Sequence, residues 1–185
     1  MSDGSGGQRA LVRLDSAEVA EESREEICRV ILFQACDEWF ALPIGFVGEV
    51  QPLDRVTRVP TAPRDVLGIL NIRGRVLTLF GLAECLNIPP GREPCTHVVV
   101  LDLGDAELRI GLAVQRIGGV RRVPVSALEP PPPRESGPGC LEGVFEAGGQ
   151  VVGLLDLTRV FARSLSDWGI ALEARTATER QGADQ

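Results

Sequence analysis

The sequence predicts a mostly β fold made of two similar β-rich halves in pseudo-repeat, with short connecting helices and a C-terminal helix. Three observations carry that expectation. Short runs of Val, Leu and Ile alternate with Gly, Pro, Asn and Asp along most of the chain, the punctuation of strands and turns. With 185 residues, 44% of them hydrophobic, there is enough apolar surface to bury a core. And "GILNIRGRVLTLFGLAECL" from Gly68 aligns without gaps on "GVFEAGGQVVGLLDLTRVF" from Gly143, the mark of an internal repeat.

The elements follow in order. Order is expected to begin at "ICRVILFQA", ending near Cys36-Asp37, where a turn leads into "EWFALPI"; the two runs read as a hairpin. In "IGFVGEV" the three-residue spacing of Ile44, Val47 and Val50 suggests one helical turn entering a strand. "TRVPTAPRDV" carries two prolines and is expected to be irregular. "VLGILNI" and "RVLTLF" read as strands joined at Arg73-Gly74, and "LAECLNI" as a short helix stopped by Pro89-Pro90-Gly91. A second cycle then opens with "THVVVLDL", a turn at Gly104-Asp105 and "ELRIGLAV". "VQRIGGV", a strand-like "RRVPV", the polyproline-type connector "EPPPPRESGPG" and a final strand–strand–helix unit complete it.

The repeat aligns Gly68 with Gly143, Gly74 with Gly149, Val76 with Val151 and Leu79 with Leu154. Upstream, Ile44, Val47 and Val50 correspond to Val114, Ile117 and Val120. Each half is about 65–75 residues, a size suited to a small barrel. Because one copy shows what the fold alone demands, the other's departures become informative. Gly74 and Gly149 are kept, as a turn position with φ > 0 requires; Val76, repeated at Val151, reads as part of the fold. Arg73 faces Gly148 and Glu49 faces Gly119, so neither charge is needed by the turn or strand. Conversely Asp156 faces Gly81, and an Asp there suits the N-cap of the last helix.

Composition excludes several classes. A net charge of −7 with pI near 4.8 argues against a general nucleic-acid binder. No apolar run has the length of a membrane span, and the N-terminus lacks a signal-peptide core, so a cytoplasmic protein is expected. The cysteines, Cys28, Cys36, Cys85, Cys95 and Cys140, are widely spaced with no C-x-x-C pair, which reads as scattered free thiols without a metal site. His97 is the only histidine and precedes a strand, and no G-x-S-x-G, P-loop or H-E-x-x-H motif occurs. The expectation is therefore no enzyme and no cofactor. Residues 1–26 carry seven acidic side chains against three arginines and read as a flexible acidic tail; 169–185 read as a second tail. Between Asp54 and Arg75, five arginines (55, 58, 64, 73 and 75) stand against Asp54 and Asp65, a local cationic stretch on an acidic protein.

"FALPIGFVGEV", "RVPTAPRDVLGILNIRGRV", "RIGLAVQRIGGVRRVP", "ALEPPPP" and "GLLDLTRVF", in that order, resemble the CheW-like domain of bacterial chemotaxis coupling proteins. The resemblance implies two SH3-like five-stranded β-barrel subdomains within residues 27–168, intertwined halves with a changeover near 87–97. It implies an adaptor that bridges chemoreceptor cytoplasmic tips to the regulatory domain of a CheA-type histidine kinase, recruited to membrane-associated arrays without inserting into the membrane. It places a receptor-tip groove between the barrels, with Arg73, Asn71, Glu49 and Val47 as candidate contributors, and kinase contacts on barrel edge strands. The sequence departs from the family at Gly81-Leu82-Ala83, where an Asp-Leu-Arg-like triplet is usual, and at Gln115 and Gly119, where acidic residues are common. Those departures motivate an alternative: a decoy or localisation module that binds only receptor or only kinase in a specialised pathway.

Overall fold

A computed structural model describes residues 25–105, 108–133 and 139–166. The tail assigned to 1–26, apart from Glu25 and Glu26, and the tail at 169–185 lie outside the described residues. The first hairpin joins β1 (Ile27–Ala35) to β2 (Glu38–Pro43) through Cys36 and Asp37, both at positive φ. A 3-10 turn at Ile44–Phe46 leads to β3 (Val47–Pro52). The hairpin β4 (Val66–Ile72) and β5 (Arg75–Gly81) follows, then α1 (Leu82–Leu86), which ends at Asn87 in the left-handed region. The second cycle comprises β6 (His97–Leu101), β7 (Ile110–Val114), β8 (Arg116–Pro124), β9 (Leu141–Ala147), β10 (Gln150–Leu155) and α2 (Leu157–Ser166). The sequence reading leaves "VQRIGGV" without an assigned element and makes only "RRVPV" strand-like. In the structure Arg116–Pro124 is one strand, and the 3-10 turn comes after it, at Val125–Ala127.

The strands form two five-stranded barrels, ordered β8-β1-β2-β10-β9 and β3-β6-β7-β5-β4. The two sequence copies are therefore not the two barrels. Each copy leaves its first two strands in one barrel and its last three in the other, and parallel pairs β2–β10 and β5–β7 stitch the copies together. A fragment of residues 25–88 would hold β1 and β2 without β8 and β10, and β3 to β5 without β6 and β7. It is expected to show no cooperative unfolding transition, checked by circular dichroism in urea, because neither barrel can close its core.

Three apolar clusters fill this frame. Val30, Leu32, Ala41, Phe145, Val152 and Leu154 fill the first barrel; Leu70, Leu77, Leu79, Val98 and Val100 fill the second. The largest cluster lies between the barrels and takes in both helices, with Phe80 and Phe161 meeting edge-on at 5.1 Å between centroids. Repetition at Gly68 and Gly143 has a steric cause. The chain preceding each hairpin crosses over it through single bridges, Thr57 to Ile69 and Glu129 to Val144. A Cβ at Gly68 would lie 2.4 Å from the Thr57 carbonyl oxygen, and one at Gly143 would lie 3.0 Å from that of Glu129. Bulges at Gly48 and Gly118 recur likewise, interrupting the β3–β6 and β1–β8 ladders at equivalent points.

Among the described residues Gln115, between β7 and β8, is the one buried polar side chain, 2% exposed. Its Oε1 accepts the Asp37 backbone N–H at 2.9 Å, and its Nε2 donates to Asp37 Oδ1 at 2.9 Å and the Glu93 carbonyl at 2.8 Å. Asp37 Oδ2 in turn accepts the Arg92 N–H at 2.9 Å. This clasp ties the β1–β2 turn to the 87–96 connector. The Arg92 N–H foremost, then the Gln115 amide, hold the Asp37 carboxyl below its ordinary value of 3.8. Its folded pKa lies below its unfolded one, so the contribution to stability is present above pH 3.8 and is lost as pH falls through the depressed value. Titration of the Asp37 carboxyl by NMR is expected to give a midpoint under 3.8.

Candidate recognition site

The β4–β5 turn is a two-residue hairpin loop with both central residues at positive φ, Arg73 at 51° and Gly74 at 80°. Its repeat partner has Gly148 at 62° and Gly149 at 77°. This is the type I′ geometry that suits the twist of a tight hairpin, and glycine adopts it at little cost. An L-residue with a β-carbon there costs roughly 1–2 kcal/mol. The second copy avoids that cost, and the first accepts it to place an arginine at the tip.

The guanidinium projects toward β3, where Arg73 Nη1 lies 3.5 Å from Glu49 Oε2. Arg73 is 77% exposed and Glu49 32%. An exposed pair at this distance contributes only about 0.2–1 kcal/mol, less than the strain it accompanies. Gln51, two residues along the same face, donates from Nε2 to Glu49 Oε2 at 3.0 Å and fixes the carboxylate. Gln51 escaped the sequence reading, although its period-two spacing from Glu49 was the available signal. Val47 is half-buried against the inter-barrel core; the Gly48 bulge separates it from Glu49 and re-aims the strand. Asn71 is exposed on β4 opposite Val76, and no hydrogen bond among the described residues joins it to the ion pair. So the structure brings Arg73 and Glu49 together and sets Val47 and Asn71 beside them without direct bonds.

Val76 and its repeat partner Val151 are both exposed, at 57% and 72%. The repeat conserves an outward-facing apolar position on each hairpin. All five arginines of the 55–75 stretch are exposed as well. At the far end of the repeat, Asp156 Oδ1 accepts the Arg159 N–H at 3.1 Å, and its Oδ2 lies 3.0 Å from the Arg159 guanidinium. Gly81 starts α1 without a side-chain cap, and the Glu84 carboxylate fills the space a side chain there would enter.

Little in the remaining chemistry resembles a reaction centre. His97 opens β6, and its Nδ1 lies 2.8 Å from the hydroxyl of Thr96, the residue before the strand. Cys36 is pushed up to about 11, by burial first and then by Cys95 and neighbouring carboxylates, and burial raises Cys85 and Cys95 too. Such thiols are protonated at neutral pH and are weak nucleophiles. Among the described residues no group of three or more His, Cys, Asp or Glu side chains is placed to hold a metal ion.

The architecture is thus two interlocked five-stranded barrels with an exposed charged corner on a tight turn. The family model of the CheW-like domain matches residues 29–165, and the chain belongs to that family. It is 27% identical over 146 residues to a probable chemotaxis protein CheW of Rhizobium etli, covering 75% of this chain and 90% of that one. It is 31% identical over 127 residues to protein PilI of Pseudomonas aeruginosa, covering 67% and 70%. Among solved structures, the scaffolding protein TtCheW from Thermoanaerobacter tengcongensis superposes with a TM-score of 0.64 at 22% identity, over 74% of this chain and 88% of that one. That structure shares the fold.

Proposed function

We propose that this protein is a cytoplasmic, non-catalytic adaptor that couples the cytoplasmic tips of chemoreceptors to a CheA-type histidine kinase. Among the described residues no helix is long and apolar enough to cross a membrane; in this reading the protein joins membrane-associated arrays through its partners. One observation supports the reading most strongly: Arg73 occupies a left-handed position where the repeat uses glycine, and its cation stands exposed beside Glu49. A planar guanidinium so placed can make bidentate contacts with a carboxylate or with backbone carbonyls of a helical receptor tip. Asn71 and Val47 flank the contact, and edge strands of the barrels offer the kinase pairing surfaces.

The test is reconstitution with a receptor cytoplasmic fragment and a kinase, separately and together. A ternary complex in which receptor ligand changes kinase autophosphorylation is the expected result. Binding of one partner alone would overturn it in favour of a decoy or localisation module, the reading that the Gly81, Gln115 and Gly119 departures motivate.

A further inference from the structure

Each barrel has a mouth beside its edge hairpin, β4–β5 or β9–β10, and the repeat lets the two be compared position by position. In the second barrel Glu49 and Gln51 face Val100 and Val98 across the ladder and share the core side of the sheet with them. In the first, Gly119 and Arg121 face Leu32 and Val30, again core residues. Gly148 stands where the second barrel has Arg73. The parallel pairs extend the match. With Gly153 on Thr78, Phe40 corresponds to Ile110, and Trp39 therefore to Arg109.

The second barrel's mouth is polar and supplies its own carboxylate. Glu49 Oε2 accepts the Gln51 amide at 3.0 Å and lies 3.5 Å from Arg73 Nη1. The first barrel keeps a donor at the Gln51 position, as Arg121, and has no acceptor opposite it. Nor can a side chain restore one there, because Gly119 sits at φ 86°, where a β-carbon is strained.

A cavity of 260 Å³ takes the place of the polar plug, walled by Leu32 and Val152, with Trp39 in its lining and the exposed Arg121 and Gln150 at its rim. Trp39 lies across Gly118 so closely that a Cβ there would come within 2.7 Å of its ring, so the indole forms a floor. Arg121 is the one charged residue of the lining. It donates to the Val120 carbonyl at 3.3 Å, and no ion pair among the described residues includes it.

We propose that this cavity binds a small aromatic carboxylate. Its anion sits on Arg121 as the Glu49 carboxylate sits on Gln51 in the other barrel, and its ring lies against Trp39. A single cation selects a monoanion over a phosphate or a dicarboxylate, and the guanidinium can hold it through two parallel hydrogen bonds. The ring gains an offset or edge-on aromatic contact with the indole. Sites for drug-sized ligands run to about 300–1,000 Å³, so this smaller one limits the ligand to one ring and a short chain. The cavity lies in the other barrel from Arg73, and its occupancy does not rest on the receptor-binding role assigned to that residue.

The test titrates the full chain with phenylacetate and follows the Trp39 indole N–H by NMR, assigned with Trp168→Phe, the protein having two tryptophans. A saturable shift with a Kd below about 1 mM is expected for a ligand of this size. Acetate, which lacks the ring, should leave the signal in place at the same concentrations. Phenylacetamide, which lacks the charge, should bind about tenfold more weakly or worse. Arg121→Gln should weaken phenylacetate by a similar factor and leave phenylacetamide unchanged, whereas Arg73→Gly should alter neither. A Trp39 signal indifferent to phenylacetate overturns the proposal. So does equal affinity for phenylacetate and phenylacetamide, since burial of the ring would then account for binding without Arg121. Should Arg121→Gln fail to fold by circular dichroism, the comparison of the three probes on the wild type decides alone.

Discussion

Arg73→Gly is expected to leave the fold about as stable as the wild type while removing most of the affinity for a receptor cytoplasmic fragment. Glycine at φ 51° releases roughly 1–2 kcal/mol of left-handed strain. Against this stand the lost exposed ion pair to Glu49, about 0.2–1 kcal/mol, and the added freedom of glycine in the unfolded chain, about 0.4–1 kcal/mol. The sum stays within about 1 kcal/mol of zero, measurable as an unchanged urea midpoint. Binding behaves differently. A charge-assisted contact made by a partly desolvated guanidinium is worth about 1–3 kcal/mol, so calorimetry should show affinity falling roughly 5- to 150-fold. Arg73→Glu goes further, because it sets a second carboxylate against Glu49 and repels an acidic partner; binding should drop below detection. Native-like binding by either variant, with an intact circular-dichroism spectrum, would remove Arg73 from the interface.

The reasoning that singled out Arg73 shows what the sequence carries and where it stops. Comparing the copies isolated Arg73 and Glu49, and the structure sets them 3.5 Å apart. The positive φ was also legible in principle, since Gly148 occupies the matching position, but arginine is no turn former and its own identity conceals the strain. The recurrence of Val76 at Val151 was legible, but recurrence alone does not tell an inward position from an outward one, and both are exposed. The exchange of strands between barrels lay beyond local pattern altogether. Periodicity and turn chemistry specify hairpins, whereas the parallel pairs β2–β10 and β5–β7 depend on which apolar faces meet between strands distant in the chain, as Trp39 meets Val152 and Thr78 meets Ile110. Gln115 illustrates the same limit. In the sequence it was only a departure from a family habit; its role depends on Asp37, 78 residues away.

That role yields the second large effect. Gln115→Glu is expected to destabilise the protein by on the order of 3 kcal/mol at neutral pH, read as a lowered urea midpoint with unchanged slope. The native amide donates to Asp37 Oδ1 and to the Glu93 carbonyl, and a carboxylate can donate to neither. It would also face the Asp37 carboxylate from a site that is 2% exposed, so desolvation and like charge both oppose its ionisation. The introduced carboxyl therefore titrates above the ordinary Glu range in the folded state. By linkage its penalty is small at low pH, where it is protonated and can donate one bond, and grows as pH rises through the unfolded value toward the raised folded one. The wild type changes in the opposite sense, losing the Asp37 contribution as pH falls. Gln115→Leu separates charge from hydrogen bonding: it leaves the Asp37 N–H and the Glu93 carbonyl without their partner, costs roughly 1–3 kcal/mol, and between pH 5 and pH 8, above the Asp37 titration, carries no pH dependence. If Gln115→Glu and Gln115→Leu show equal midpoints at pH 5 and pH 8, the Asp37 carboxylate is not what position 115 answers to. If the Glu variant recovers toward acid and the Leu variant does not, the amide at this position is fixed by the aspartate it clasps.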